Sequence, residues 1–276
     1  MNELHPTRGH IGGANIAGIL GISPFRTALD EFLLITNDAP EEEDAARALF
    51  FKKRKSIEPW ADEWFTHRTG LQVVRHNERY YDATRPYLSC EIDFETEDGA
   101  TGETKTAHPR TADQWGDPDL AEEPPMYVTA QAMYGLAITG RSLCYVHALI
   151  GFDDERIYEV HRDEALCAHL IEEAVRFWHT HVLARRAPQP ATLDDVAKLY
   201  RWDSLREQIA TTELQRAVQA YRDERVRRDL SINRMLAHEF TIKGAMRDAQ
   251  ALIDASGKRL ATWKARTDGV RVFRVL

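Results

Sequence analysis

The sequence predicts an α/β (α+β) protein in which helical segments alternate with strands ahead of a basic C-terminal extension. Strand-like segments with β-branched or alternating residues occur at 71–105 and at 143–161. Segments with helical apolar spacing lie before, between and after them, at 45–65, 126–139 and 163–178. This alternation of the two periods is typical of a sheet covered by helices.

The composition supports one large core, or one core with an appendage. The chain has 276 residues, of which 43% are hydrophobic, and no run approaches the roughly 20 apolar residues of a membrane span. The N-terminus lacks a basic-then-apolar signal pattern, and the three cysteines are widely spaced and odd in number. We therefore expect a cytoplasmic protein with no disulfides and no membrane association.

Charge is distributed unevenly along the chain. Residues 1–200 carry 20 Lys and Arg against 34 Asp and Glu, whereas residues 201–276 carry 16 against 10. An acidic body with net charge −14 therefore precedes a basic part with net charge +6. The basic part is either a solvated helix face or a surface for an acidic partner or nucleic acid.

The N-terminal part contains three predicted helix starts, one of them a cap at Ser23-Pro24 before a helix through Ile35. Gly12 and Gly13 precede a short apolar helix, and this start is either a tight turn or a phosphate-binding helix end. Pro40 and the acids after it begin a longer helix that ends at Gly70, with a break or restart at Pro59. A basic cluster interrupts its apolar stripe and is either a solvated face or part of a DNA track: Lys52, Lys53, Arg54 and Lys55.

The middle of the chain predicts a hairpin and then a loop. Glu97-Asp98-Gly99 is a turn signal between two strands that carry Asp93 and Glu103. Residues 108–125 form a polar, Pro-rich loop with one aromatic residue, Trp115. A loop at that place is positioned to cover a site or to contact substrate.

The remaining elements follow from their apolar patterns. A helix over 126–139 stops at Gly140, and the apolar run 143–150 is typical of a strand covered on both faces. The Pro-rich segment 187–191 marks a boundary between a domain of residues 1–190 and an extension of residues 191–276. Within the extension we expect one or two helices over 205–240 and then a small β-meander.

Three residues of the hairpin predict a metal site. Period-2 alternation puts Glu103 and Lys105 on one face of a strand, and Asp93 lies on the neighbouring strand. Two carboxylates and an ammonium on one face make a poor core, but they suit a divalent cation with a lysine beside it. Taken alone, the spacing is equally compatible with an exposed hairpin carrying ordinary surface charges.

An ordered set of short motifs resembles the PD-(D/E)xK nuclease superfamily, and within it the YqaJ-type viral recombinase, lambda exonuclease-like family. The motifs run Ile11-Gly-Gly13, Ser56-Ile-Glu-Pro59, Ile92-Asp93, Glu103-Thr-Lys-Thr-Ala107, Tyr127-x-x-x-Gln131 and Thr139-Gly140. The Leu260-Ala-Thr-Trp-Lys264 segment also resembles the tail of phage members, so the resemblance covers nearly the whole chain. It implies a restriction-endonuclease-like core with a central mixed sheet flanked by helices.

The resemblance also implies roles for the site residues. Asp93, Glu103, the Thr104 carbonyl and Glu58 would hold one or two Mg²⁺ ions, with Mn²⁺ as a substitute. Lys105 would orient the attacking water, and would act as its base if its pKa were lowered. Two helix residues would hold the water or a phosphate oxygen: Tyr127 and Gln131. For this last pair the alternative is a helix that packs its tyrosine on the sheet.

One departure from the family concerns the end of the substrate. The family usually has Ser-Asp after Gly-Gly, where the serine hydroxyl helps to hold a 5′ phosphate; here the chain has Ala14-Asn15. We expect Arg8, Ser23 or backbone N–H groups to supply that contact instead. The expected DNA contacts through phosphates are Arg8, Lys52, Lys53, Arg54, Lys55 and Arg110, with Trp115 beside them.

The function implied is a metal-dependent DNA exonuclease acting on double-stranded ends, 5′→3′, in phage-type homologous recombination in a bacterial host cytoplasm. The family further implies a homotrimer and a single-strand annealing protein as partner. Two alternatives stay open. One is an endonuclease of the same superfamily, which would cut closed circular DNA; the other is a non-catalytic DNA-binding or scaffolding protein. A degenerate member would have lost Asp93, Glu103 or Lys105, and all three are present.

Overall fold

A computed structural model of the chain describes residues 9–36, 49, 52–53, 56–151, 153–203 and 206–276. The helix start predicted at Pro40 and the three cations Arg8, Arg54 and Lys55 lie outside the described residues. The chain divides into two compact units, Met1–Trp202 and Asp203–Leu276. Within the described parts, no helix combines the length and the apolar character needed to cross a bilayer.

The first unit is built on a five-stranded mixed sheet in the order β1-β2-β3-β4-β5. Only the β3–β4 pair is parallel among these neighbours, and the other three are antiparallel. The strands are β1 Val73–Tyr81, β2 Ser89–Thr96, β3 Thr101–Ala107, β4 Leu143–Ile150 and β5 Asp154–His161. The predicted mixed sheet is therefore confirmed, with β3 and β4 at its centre.

Helices cover both faces of this sheet. They are α1 Gly13–Ile19, α2 Ala28–Ile35, α3 Glu58–Thr69, α4 Met126–Thr139, α5 Glu164–Phe177 and α6 Leu193–Leu199. The main core joins α1, α2, α4 and α5 to one face, and a smaller cluster around Phe65 and Phe94 lies on the other. Seven of the eight β4 residues are buried, as expected for a strand covered on both sides.

The connection from β3 to β4 crosses over through α4, which makes the two strands parallel neighbours. Parallel neighbours need a long connection, and here 3-10 turns and α4 supply it. Gly140 ends α4 with φ of 71°, in the left-handed region that glycine occupies without strain. The helix predicted over 126–139 and the strand predicted over 143–150 are confirmed because these stop signals are strong.

The cap of α2 differs from the one predicted at Ser23. Ser23 does not cap α2; its hydroxyl instead accepts hydrogen bonds from the N–H groups of Phe25 and Arg26 in a turn. The cap is Thr27, whose hydroxyl accepts from the N–H of Asp30 while the Asp30 carboxylate accepts from the N–H of Thr27. Such a reciprocal box satisfies two orphan donors at once, which a lone serine before a proline cannot do.

The second unit consists of one long helix and a small meander. Helix α7, Thr212–Met246, runs for 35 residues, so the segment predicted as one or two helices is a single one. Strands β6 Ala251–Ile253, β7 Arg259–Ala265 and β8 Arg271–Val275 form an antiparallel sheet, as predicted. Arg271 lies over the Trp263 ring, 3.8 Å from its centroid, and ties the meander together.

Candidate active site

The candidate site forms where β2 and β3 separate. Within residues 56–151, which the structure describes without a gap, the two strands pair at Phe94–Gly102 and Glu95–Thr101. Beyond these pairs the backbone N–H of Thr104 donates to Oδ2 of Asp93, at 2.8 Å, in place of a ladder bond. The N–H and C=O of one strand residue point to the same side, so the Thr104 carbonyl also faces this gap.

Glu103, Lys105 and Gln131 meet on the α4 side of the sheet. The Nζ of Lys105 donates to Oε1 of Glu103 and, at 3.0 Å, to Oε1 of Gln131. The Nε2 of Gln131 donates to the same Glu103 oxygen at 2.7 Å. Period-2 alternation therefore places Glu103 and Lys105 together as predicted, and the crossover helix adds the amide.

Tyr127 and Glu58 approach this cluster from two different helices. Tyr127 lies one turn before Gln131 on α4, and its ring meets Phe25 edge-on at 5.5 Å between centroids. Glu58 is the first residue of α3 and lines a cleft together with Asp93 and Thr104. The structure thus brings the predicted residues of four elements to one edge of β3.

Burial and repulsion raise the pKa of Asp93 well above its usual range. Burial is the largest cause, and the charges of Glu103 and Glu58 add to it. The ammonium of Lys105 and the N–H of Thr104 oppose the rise without cancelling it. Three carboxylates around one lysine therefore leave an excess of negative charge in a poorly solvated place.

This excess fits a divalent cation held by oxygen ligands, and the Thr104 carbonyl adds a further oxygen. As the side chains stand, no group of three His, Cys, Asp or Glu in the described parts is arranged to hold a metal ion. The reason is visible in the contacts, because Glu103 is occupied by Lys105 and Gln131. Cation binding would require Glu103 to exchange at least part of these contacts for the metal.

The pKa of Lys105 moves opposite to the direction that a base would need. Burial alone lowers it and is the largest single effect, but the Glu103 and Asp93 carboxylates outweigh burial, so the pKa is raised. As it stands, Lys105 is a protonated donor. The sequence interpretation that its pKa could be lowered is therefore not supported by this arrangement, because two anions lie beside it.

The N-terminal end of α1 lies next to the site. A side chain at Gly13 would touch Gln131 at 3.4 Å from its Cγ, so α1 and α4 are in close contact there. Ala14 is exposed, and its carbonyl accepts from Nη2 of Arg26 at 2.7 Å. Ser23, expected as a possible phosphate contact, has its hydroxyl engaged in a local turn.

Asn15 replaces the acidic residue of the family motif and has an internal role. Its Oδ1 accepts from the N–H of Gly12 at 2.7 Å, and its Nδ2 donates to the fully buried Glu31 carboxylate at 2.6 Å. Burial raises the pKa of Glu31 to about 7, although Arg26 and Asn15 both oppose the rise. The contacts of Glu31 with Asn15 and Arg26 were not predicted from the sequence.

The residues expected to contact DNA differ in their exposure to solvent. Lys52, Lys53 and Arg110 are exposed, which leaves them available to phosphates. Trp115 is 5% exposed and packs in the main core beside Tyr158. Its backbone is held there because Nη1 of Arg156 donates to its carbonyl, so its ring has no surface to offer DNA. The DNA contact predicted for Trp115 is therefore corrected to a core role.

Further polar residues line the cleft beside Asp93 and were not predicted from the sequence. Asp62 follows Glu58 by one helical turn on α3, and its Oδ2 lies 2.8 Å from Nδ1 of His76 on β1. Asn77, the next residue, lines the same cleft. The i,i+4 spacing of Glu58 and Asp62 was the available signal, but nothing in the sequence pairs Asp62 with β1.

Comparison with known proteins agrees with this geometry. A model of the YqaJ-like viral recombinase domain matches residues 4–142, just over half of the chain. A Bacillus subtilis (strain 168) protein named "Uncharacterized protein YqaJ" is 26% identical over 267 residues, covering 92% of this chain and 80% of that protein.

Two solved structures are similar as well. An alkaline exonuclease from Laribacter hongkongensis has 18% identity and a TM-score of 0.51, over 65% of this chain and 91% of the other. A phage-related exonuclease from Haemophilus somnus 129PT has 12% identity and a TM-score of 0.46, over 64% and 96%. The first likeness supports the predicted α/β fold with its central mixed sheet.

Proposed function

We propose, since the chain belongs to the YqaJ-like viral recombinase domain family, that it is a metal-dependent DNA exonuclease acting on the ends of double-stranded DNA. The observation that carries this proposal is the meeting of Asp93, Glu103, Lys105 and Gln131 where β2 and β3 separate. A strand edge with excess negative charge, one ammonium and one amide is poor core and costs stability. Charged groups of this kind, with perturbed pKa values, are typical of functional sites.

The residues present fit one or two Mg²⁺ ions, with Mn²⁺ as a substitute. Asp93 and Glu103 would be direct ligands, the Thr104 carbonyl a third, and Glu58 would complete the set directly or through water. When bound, such ions activate a water molecule and neutralise charge on the phosphate and on the leaving oxygen. Without them, the carboxylates would repel the anionic backbone of DNA.

The chain's own residues position the reactants. Lys105 is a protonated donor and can hold an attacking water or a phosphate oxygen in line. Gln131 holds the side chains of Lys105 and Glu103 next to each other, since its amide is hydrogen-bonded to both. Tyr127 stands on the same face of α4, one turn before Gln131, where its hydroxyl can reach a second phosphate oxygen.

Binding to DNA would be independent of sequence. Lys52, Lys53 and Arg110 are exposed cations that can contact phosphates, with Arg8, Arg54 and Lys55 as further candidates. Phosphate contacts of this kind weaken steeply as salt is raised. The basic unit Asp203–Leu276 would extend this track or dock a single-strand annealing protein.

We also propose the biological setting that the family resemblance implies. We place the activity in phage-type homologous recombination in a bacterial host cytoplasm, with 5′→3′ polarity and a homotrimeric assembly. An endonuclease of the same superfamily is the competing function, and a non-catalytic DNA-binding protein is the second. End dependence and metal dependence separate the three.

One experiment tests the proposal. Linear duplex labelled at either end, with and without a 5′ phosphate, is incubated with the full chain in Mg²⁺ and in chelator, beside closed circular duplex. We expect loss of the 5′ label first, only in Mg²⁺, with the circle intact. Cleavage of the circle would replace the proposal with the endonuclease, and binding without digestion in Mg²⁺ would leave only the non-catalytic role.

A further inference from the structure

The cleft beside Asp93 is also lined by residues of β1 and α3 that have no role in the proposed reaction. It encloses about 740 Å³ between α3, β1 and β2, and Glu58, Asp93 and Thr104 open into it. The same cleft is lined by His76 and Asn77 of β1 and by Asp62, one turn after Glu58 on α3. Lys105 and Gln131 serve the α4 side of β3, so these residues face the site from another direction.

The charge of the cleft singles out His76. Four carboxylic acids line it, Glu58, Asp62, Glu63 and Asp93. Among the described residues of its lining, His76 is the one side chain able to carry a positive charge. A phosphodiester that enters an acidic cleft is repelled by the carboxylates, and a hydrogen bond from a cationic side chain offsets that repulsion.

Asp62 fixes the orientation of the His76 ring. Its Oδ2 lies 2.8 Å from Nδ1, and the Asp62 side chain is only 13% exposed whereas that of His76 is 53% exposed. Burial raises the pKa of Asp62, and the charge and hydrogen bond of His76 oppose that rise. With Nδ1 held by a carboxylate, Nε2 remains for a ligand, as in other carboxylate-oriented histidines.

Asn77 supplies an independent sign of function. Its φ is 54°, a left-handed value, although it lies within β1. It falls between the pairs His76–Phe94 and Glu78–Ile92, which places it across from Asp93. Asparagine adopts such a backbone at lower cost than most residues, but no chain reversal requires it here, and backbone strain of this kind concentrates at binding sites.

We propose that His76, oriented by Asp62, and Asn77 bind a phosphate of the substrate strand on the β1 side of the cleft, next to Asp93. The imidazole bonds at one nitrogen to Asp62 and at the other to a phosphate oxygen. The amide of Asn77 contacts the same nucleotide. This inference rests on the proposed function, because it takes a nucleic-acid strand as the occupant of the cleft.

The test measures binding rather than turnover. The full-length Asp93→Asn variant is titrated with a short linear duplex at several KCl concentrations, alone and with His76→Gln added. We expect His76→Gln to weaken binding about 10-fold and to lower the slope of log K against log salt by about 0.9, the value of one lost phosphate contact. His76→Arg should restore the slope because the guanidinium can take over the phosphate contact.

Two further variants show whether a loss of binding comes from the missing side chain or from a change in the fold. His161→Gln is the matched control, since His161 is exposed and paired with Glu159 at 3.4 Å on β5, away from the cleft; it should leave the slope unchanged. Asn77→Gly keeps the left-handed backbone and removes the amide, so binding should weaken while thermal stability holds. An unchanged salt slope in His76→Gln would overturn the inference. Because Mg²⁺-dependent digestion by the unaltered chain is measured separately, that result would leave the proposed function standing.

Discussion

Gln131 donates a hydrogen bond from Nε2 to Oε1 of Glu103 at 2.7 Å. The same oxygen also accepts a hydrogen bond from the ammonium of Lys105. A helix residue on the crossover between β3 and β4 thus holds both charged side chains of β3 in place. The geometry of the site depends on α4 as much as on the strand that carries the carboxylate.

Gln131→Met should lower kcat about 10- to 100-fold with little change in the affinity for DNA. The substitution keeps the volume of the side chain but removes hydrogen bonds to two charged groups, each worth about 1.5–3 kcal/mol. Gln131→Glu should lower kcat further, since it adds a negative charge beside Glu103. Steady-state digestion of linear duplex in Mg²⁺ measures both, and wild-type turnover in Gln131→Met would remove the amide from the mechanism.

Asp93→Asn should abolish digestion while leaving the fold at least as stable. The loss of a direct ligand should slow the reaction by about 10³-fold or more. In chelator the melting temperature should stay level or rise, because the variant removes a buried charge that Glu103 and Glu58 repel. Mg²⁺ should raise the melting temperature of the wild type but not of the variant. Asp113→Asn, at an exposed position, is the control.

Glu31 should make the first unit less stable as the pH rises from about 5 to about 7. Its pKa in the folded chain is about 7, against an ordinary value of 4.5, so the native state binds the extra proton in that window. Stability is therefore present below the unfolded pKa and is lost as pH rises toward the folded one, by on the order of 3 kcal/mol. Glu31→Gln should flatten this dependence in thermal melts, whereas Glu78→Gln, at an exposed site, should not.

Much of this site follows from short-range rules. The alternation of β3 predicts that Glu103 and Lys105 share a face, and the hairpin turn predicts Asp93 on the neighbouring strand. Gly140 marks the end of α4 correctly because a left-handed residue is needed there. These features depend on residues only a few positions apart, which is the range over which sequence patterns act.

The remaining features depend on packing between distant segments. The contact between Asp62 and His76 needs the register of α3 against β1, and the burial of Trp115 needs Arg156 and Tyr158 of β5 to bind the loop carbonyls. The direction of the pKa shift of Lys105 likewise depends on how closely two carboxylates approach it. None of these distances is encoded by local spacing.

Gly102→Ala should destabilise the first unit by about 1–3 kcal/mol. A methyl group there would lie 2.1 Å from Cζ of the fully buried Phe94 ring, and a packed core cannot absorb such a contact. Phe94→Leu should relieve the clash, so the double variant should be no less stable than Phe94→Leu alone. Gly135→Ala is the matched control, because its methyl group would meet only the end of Ile92 at 3.3 Å and would favour the helix.

Truncation after residue 202 should preserve the stability of the first unit, whereas truncation after residue 190 should reduce it. The Pro-rich segment 187–191 was predicted as the domain boundary, but α6 beyond it belongs to the first compact unit. The fully buried Asp195 accepts from the hydroxyl of Thr27 at 2.9 Å, and Lys198 bonds to Asp30 at 2.5 Å.

Removal of α6 would cost Thr27 and Asp30 these hydrogen bonds, at about 0.5–1.5 kcal/mol each, because both side chains are half-buried and would meet water instead. For a unit of this size that corresponds to a fall in melting temperature of about 2–4 °C per kcal/mol. Thermal melts of the two truncated chains make the comparison, and Asp195→Ala in the longer one should reproduce much of the loss. Equal melting temperatures for both truncations would show that α6 contributes nothing to the first unit.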